Sequence, residues 1–255
     1  MGLLACKPAG SPIDQHHQLS LAKGALLADP EVYRRLVGRL VYLAATRPDL
    51  TYAIHVLSQF MQSPREEHWL AALKVVRYLK GTIGQGILLR AESSMHFSGW
   101  CDSDYAACPL TRRSLTSYIV QCGSSPIVWK TRKQDTVSRS TAEAEYRAMT
   151  EVTCELRWMK GILSEMGVDH AEPMMLLCDS KPALHIAANL VFHERTKHVE
   201  IDCHFIRDDI VCGLIKTKHV DTKEQLADIF TKGLGKKEFD AFLLKLGIAN
   251  LYAPT

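Results

Sequence analysis

The chain reads as an α/β protein with a mixed sheet flanked by helices, preceded by a small helical segment. Three observations point there. Residues 30–81 carry three apolar-periodic runs separated by helix stop signals. From about Gly84 the texture changes to short runs typical of strands. From MHFSGWCDS onward the elements fall in the order β-β-β-α-β-α-α-β-α, which is a mixed sheet with helices and not an alternating doubly wound fold.

Residues 1–28 show little periodicity, with Pro8, Gly10 and Pro12 beside polar His16, His17 and Gln18. Residues 29–84 form the helical segment. EVYRRLVGRLVYLAAT puts Val32, Leu36, Leu40 and Leu43 on one face, and Arg47-Pro48 ends it because the residue before proline disfavours helix. Asp49 or Thr51 caps a second helix through DLTYAIHVLSQFM. A third, REEHWLAALKVVRYLKG, has Pro64 near its first turn and Gly81 after its end. Residues 85–235 make the main α/β domain. GILLR and MHFSGWCDS are its first strands, and SLTSYIVQC and SPIVWKT follow around a Gly123-Ser124-Ser125 turn. A long helix from about Thr141 to Met166 is capped by Ser140 or Thr141. MMLLCDS is a nearly continuous apolar strand, as expected for one covered on both faces. KPALHIAANL and HVEIDCHFIRDDIV read as helices, GLIKTKHV as a strand and KEQLADIFTKGL as a helix. Residues 236–255 hold a last amphipathic helix, KEFDAFLLKLGI, and a tail.

Four acidic residues lie at the edges of different elements: Asp102 in HFSGWCDSDYA, Glu145 in STAEAEYRAMTEV, Asp179 in MMLLCDS and Asp228 in KEQLADIFTKG. Converging carboxylates repel one another unless divalent cations neutralise them, so the pattern points to a hard-metal site for phosphodiester chemistry. Each residue also has a plainer reading. Asp102 and Asp104 are two apart on a strand and share a face, so either fits as ligand. Glu143 and Glu145 do not share a helix face, and Glu143 suits the first turn as a favourable charge. Asp179 alone reads equally well as a helix cap, and Asp228 alone as an exposed helix residue.

Bulk numbers exclude little. The 255 residues are 47% hydrophobic and 23% charged, ordinary for a globular chain able to bury a good core. Net charge is +3, too small to argue for nucleic acid; residues 1–94 hold 11 Lys/Arg against 7 Asp/Glu. A basic segment beside a near-neutral one is compatible with a nucleic-acid substrate. Eight cysteines without a CxxC do not form a disulfide framework and imply a reducing compartment. With no signal-peptide pattern and no membrane-length apolar run, the expected location is cytoplasmic with access to the nucleus, away from membranes. His193, His198, Cys203 and His204 match no standard zinc spacing. Trp129 and Trp158 read as core or groove packing ahead of base stacking.

TRPDLTYA, HWLAALKVVRYLKGT, WCDSDYAACPLTRRSLTSY, STAEAEY, LLCDSKPAL, RTKHVEIDCHFIRD and HVDTKEQLADIFTKGL together resemble the C-terminal end of the polyprotein of copia-type LTR retrotransposons. That region is an RNase H domain preceded by the helical end of a reverse transcriptase. The resemblance implies an RNase H-like five-stranded mixed sheet flanked by helices, and cleavage of RNA in RNA–DNA hybrids. It implies Asp102, Glu145, Asp179 and Asp228 as the metal-binding catalytic acids, favouring Asp102 over Asp104 and Glu145 over Glu143. It implies His219 as a further catalytic residue that helps product leave or shuttles a proton. Two Mg²⁺ ions, with Mn²⁺ as a substitute, would be the cofactors. Arg112 and Arg113, with Lys130, Arg132 and Lys133, are candidate phosphate contacts. The partners implied are an RNA–DNA hybrid and the remainder of the Pol polyprotein or other retrotransposon proteins. No Tyr-x-Asp-Asp hairpin occurs, so polymerase activity is expected to be absent, and the chain reads as a polyprotein fragment or remnant. A transposase with three acids would need its third acid in a helix after the central strand, at a separation not evident here. The rival from another class is a catalytically idle module that keeps the fold.

Overall fold

The structure is a computed structural model that describes residues 3–189 and 200–252. It divides into two compact units, Met1–Leu88 with Lys232–Thr255, and Leu89–Thr231.

The first unit is built on α1 (Pro30–Leu43), α2 (Thr51–Ser58) and α3 (Glu66–Gly81). Asp29 caps α1 by accepting from the Glu31 N–H at 2.9 Å, and Pro30 occupies the first turn, where its missing N–H costs nothing. The buried face of α1 is Tyr33, Leu36, Val37 and Leu40, rotated from the expected stripe, with Val32 and Leu43 half-buried. Tyr33 accounts for the rotation: its ring is buried and its hydroxyl donates to the Leu57 carbonyl at 2.8 Å. Neither Asp49 nor Thr51 caps α2. Asp49 is buried and forms a two-pronged ion pair with Arg47 at 2.9 and 2.7 Å. At the start of α3, His68 Nδ1 accepts from the Arg65 N–H at 2.9 Å, which leaves Nε2 to donate to the Leu19 carbonyl at 2.9 Å. Of GILLR, only β1 (Gln85–Ile87) is strand. It pairs antiparallel with β7 (Ile248–Asn250), which follows α7 (Lys236–Lys245).

The second unit contains one five-stranded sheet. Its strands are β2 (Phe97–Asp104), β3 (Leu115–Cys122), β4 (Ser125–Lys133), β5 (Met174–Cys178) and β6 (Ile215–His219), in the order β4-β3-β2-β5-β6. The first three are antiparallel neighbours, while β2, β5 and β6 run parallel. The β3–β4 hairpin turns through Gly123 at φ +56°, a conformation that glycine adopts without the Cβ penalty. Helices α4 (Thr141–Glu165), α5 (Lys181–Ala188) and α6 (Glu200–Val211) complete the unit. This is the five-stranded RNase H-like arrangement, with helix α4 between the antiparallel and parallel parts.

The core lies between α4 and the sheet, where Tyr146, Met149, Val152 and Leu156 meet Phe97, Cys101, Tyr118 and Leu176. The helix comes so close to β2 that a Cβ on Gly99 would sit 2.6 Å from Val152 Cγ2 and 3.2 Å from Leu156 Cδ1. Val152 is β-branched and stiff, so it cannot swing aside cheaply. Gly99→Val is therefore expected to destabilise this unit by about 1–3 kcal/mol through overpacking. A urea titration checks this, and an unchanged midpoint would contradict the close approach.

KEQLADIFTKGL does not form the expected α-helix. Leu226–Phe230 is a buried 3-10 helix held across the sheet by side-chain hydroxyls. Ser117 Oγ donates to the Ala227 carbonyl at 2.9 Å and Thr131 Oγ1 to the Phe230 carbonyl at 2.8 Å. These tertiary bonds take backbone carbonyls that an α-helix would use internally. Trp158 is also exposed and does not pack in the core. His193 and His198 lie outside the described residues.

Candidate active site

Asp102 is the sixth residue of β2 and Asp179 the first after β5. Trp100 pairs with Leu177 in the parallel register, so continuing it two residues sets Asp102 beside Asp179. Glu145 comes from the second turn of α4. The start of that helix is fixed by Ser140 Oγ, which accepts from the Glu143 N–H at 3.1 Å. It is fixed again by buried Gln134, whose Nε2 donates to the Ala144 carbonyl at 3.0 Å and to Thr116 Oγ1 at 2.9 Å. Glu143 and Glu145 then part company. Glu143 accepts from the Arg139 N–H at 2.8 Å and pairs with Arg147 at 2.8 Å, a role at the helix start. Glu145 turns inward: donor atoms of Glu145, Cys178 and Asp179 all lie within 4.8 Å of one another.

Glu145 is 5% exposed. One of its oxygens accepts from the Ser103 N–H, while buried Oε2 has no hydrogen-bond partner. Burial first, and then the charges of Asp102, Cys178 and Asp179, push its carboxyl up to about 10. In the unfolded chain the carboxyl titrates near its ordinary value of 4.5, so between there and about 10 the folded form holds a proton that the unfolded form has lost. Metal-free protein should therefore lose stability as pH rises through that window, by up to about 1.4 kcal/mol per pH unit from this group. Urea midpoints in chelator at acidic and alkaline pH check this. Glu145→Gln is expected to flatten the slope, and an equal slope in the variant would contradict the assignment.

The other candidates surround this cluster. Thr222 Oγ1 donates to Asp179 Oδ2 at 2.9 Å. His219, the last residue of β6, lies opposite Cys178 in register, and its Nε2 donates to the Asp179 backbone carbonyl at 3.1 Å. Asp228 is buried in the 3-10 helix, not exposed on an α-helix. The Thr231 hydroxyl ties that segment to the site by donating to Asp102 Oδ2, and it lies 3.2 Å from the Asp228 carbonyl. Gln225 adds a second tether, with Nε2 on the Cys101 carbonyl at 2.9 Å. The sequence does not single out Thr222, Gln225 or Thr231, and it marks Cys178 only as a small buried thiol in an apolar context.

The basic candidates are spread more widely. Arg112 and Arg113 are exposed in the loop after β2, Arg112 at φ +54°. Lys130 and Arg132 are exposed on β4, flanking Thr131. Thr131, Ser117 and Asp102 form one row across the sheet, and Thr131 and Ser117 both bond the 3-10 segment. Alternation along β4 thus sends Lys130 and Arg132 to the other face, where Arg132 pairs with Glu151 of α4 at 3.3 Å and with Asp135 at 2.6 Å. Lys133 Nζ lies 3.2 Å from Cys108 Sγ.

The donor set fits a hard divalent cation. Its oxygens are carboxylates, one of them buried without a partner, and after burial mutual repulsion raises the Glu145 carboxyl further. Among the described residues no helix is long and apolar enough to cross a membrane.

No family model matches the chain. It is 41% identical over 249 residues to the retrovirus-related Pol polyproteins from transposons RE2 and RE1 of Arabidopsis thaliana, matching 98% of this chain and 17% of each relative. It is 34% identical over 243 residues to the retrovirus-related Pol polyprotein from transposon TNT 1-94 of Nicotiana tabacum, 92% of this chain and 18% of that protein. The chain thus spans about a sixth of the length of these curated relatives. Among solved structures, LC11-RNase H1 from compost is 13% identical with a TM-score of 0.42, covering 58% of this chain and 99% of that one. With identity sustained over nearly its whole length, the chain belongs to the family of copia-type retrotransposon Pol polyproteins, and its second unit is an RNase H-like module.

Proposed function

We propose that the second unit is a metal-dependent endoribonuclease that cleaves the RNA strand of RNA–DNA hybrids. The observation that carries the reading is the buried Glu145 carboxylate, with unpartnered Oε2, set against Asp179, with Asp102 adjacent and the Asp228 segment tethered to it. A protein that only needed to fold would gain stability by making that position apolar. Asp102, Glu145, Asp179 and Asp228 are the residues that would hold Mg²⁺ or Mn²⁺, two ions in all. Bound there, such ions would supply an activated water and neutralise charge on the leaving oxygen.

The protein's own residues do the rest. Thr231 and Thr222 orient the carboxylates of Asp102 and Asp179 by donating to Oδ2 of each. His219 holds its proton on Nε2 against the Asp179 carbonyl, so Nδ1 is the nitrogen open to take a proton. Arg112 and Arg113, exposed beside β2, serve as phosphate contacts for the hybrid. Lys130 and Arg132 join them only where the hybrid reaches the α4 face of β4 and displaces the Arg132 ion pairs. The remainder of a Pol polyprotein is the partner consistent with relatives about six times longer.

Incubation of the purified chain with a labelled RNA–DNA hybrid and millimolar Mg²⁺ or Mn²⁺ tests the reading. The expected result is metal-dependent scission of the RNA strand alone. Hybrid binding with no metal-dependent product would favour an idle module that retains the fold.

A further inference from the structure

The acidic cluster contains one donor that hard-metal chemistry does not use. Cys178 is fully buried at the end of β5, and its Sγ lies within 4.8 Å of donor oxygens of both Glu145 and Asp179. Mg²⁺ takes oxygen ligands and leaves a thiol alone, whereas Zn²⁺ and Cd²⁺ bind sulfur strongly. Three donors of this kind are the protein share of an open, four-coordinate zinc site. Around such an ion the ligand atoms stand roughly 3.5 Å apart, so side-chain rotations closing about an ångström complete the set.

A cluster of acids alone would carry little, but Glu145 Oε2 supplies a second and independent observation. It is buried and without a hydrogen-bond partner, on a carboxylate that sets an oxygen within 4.8 Å of the sulfur. Among the described residues Cys178 Sγ has weak neighbours: the Ser180 N–H at 3.4 Å and the thiol of Cys101, the residue opposite it when the β2–β5 register is continued. Asp179, half-exposed, gives the ion its way in.

We propose that Cys178, Glu145 and Asp179 form a site for a thiophilic cation, Zn²⁺ or Cd²⁺, that excludes Mg²⁺ and switches the nuclease off. As the metal–sulfur bond forms, the thiol proton passes to solvent, and no oxidant or reductant is needed. The cation site stands without the nuclease reading, while its role as an inhibitor rests on that reading.

The test uses the full chain and Cd²⁺ as the probe. Titration should produce a sulfur-to-cadmium charge-transfer band whose tight component disappears in Cys178→Ser and survives in Cys101→Ala. Glu145→Gln keeps the sulfur and should weaken Cd²⁺ affinity at least about tenfold, so the site is tested even where the cysteine variant folds poorly. A band unchanged in both Cys178→Ser and Glu145→Gln overturns the site and assigns the absorbance to other cysteines. In parallel, Zn²⁺ should inhibit Mg²⁺-dependent hybrid cleavage, with at least about tenfold more ion needed in Cys178→Ser. Equal sensitivity overturns the inhibition even if cleavage occurs. A band without any cleavage by wild type overturns the nuclease reading and leaves the cation site standing.

Discussion

Asp179→Asn is expected to lower hybrid cleavage on the order of a thousandfold or more, with the protein still folded. The residue sits at the end of β5, beside Asp102 in the continued parallel register and within 4.8 Å of Glu145. Its Oδ2 already accepts from Thr222 at 2.9 Å, so Oδ1 is the free ligand atom. An asparagine either presents an amide nitrogen to the metal or turns it towards the Thr222 hydroxyl, and in both cases a charge that offsets the cation is gone. Residues that act as one unit show such large single losses. The same change relieves the repulsion that Asp179 exerts on Glu145, so metal-free stability should hold or rise. Single-turnover cleavage beside a urea titration separates the two effects. Cleavage kept within about tenfold of wild type would contradict the role, and joint loss of activity and stability would mark Asp179 as structural.

The second large effect concerns the helical unit. Asp49→Ala is expected to cost that unit about 3–5 kcal/mol, since it leaves Arg47 buried without its counter-charge. Asp49 is 3% exposed and Arg47 6%. Beyond the two bonds to Arg47, Asp49 Oδ2 accepts from the Tyr78 hydroxyl at 2.8 Å and from Gln85 Nε2 at 2.9 Å. Arg47 in turn reaches the Thr82 carbonyl at 3.1 Å and its hydroxyl at 3.0 Å. The network thus joins the turn before α2 to the end of α3 and the start of β1. Hydrogen exchange at the α3 amides reads the loss where it falls, with protection expected to drop several hundredfold or more. A change under about 1 kcal/mol would show that the pair contributes little. Replacing both partners with apolar residues should recover much of the loss, because the cost lies in the stranded charge.

Much of the second unit was legible because local signals and tertiary demands agree there. Ser140 lies three residues before Glu143 and caps α4 as its type predicts, and MMLLCDS is apolar because β5 is central. The glycine turn at 123 follows from the same local rules. The illegible parts are those where distant partners decide. Leu226–Phe230 has a helical pattern, yet hydroxyls on β3 and β4 take its carbonyls and tighten it to 3-10. Asp49 looks like a helix cap until a buried arginine two residues away claims it. GILLR pairs with a strand more than 160 residues later, a contact with no local trace. In the site, acids were visible as a recurring type at element ends, while Thr231, Thr222 and Cys178 belong to residue types too common to stand out.

Divalent-ion binding by the metal-free protein at neutral pH tests the central claim most directly, with thermal melting as the readout. Mn²⁺ at about a hundred times its dissociation constant should stabilise the wild type by about 2.7 kcal/mol, and Glu145→Gln should lose most of that gain. A folded wild-type protein whose melting does not respond to millimolar Mn²⁺ or Mg²⁺ would contradict the account, because the gathered carboxylates would then have no cation to hold.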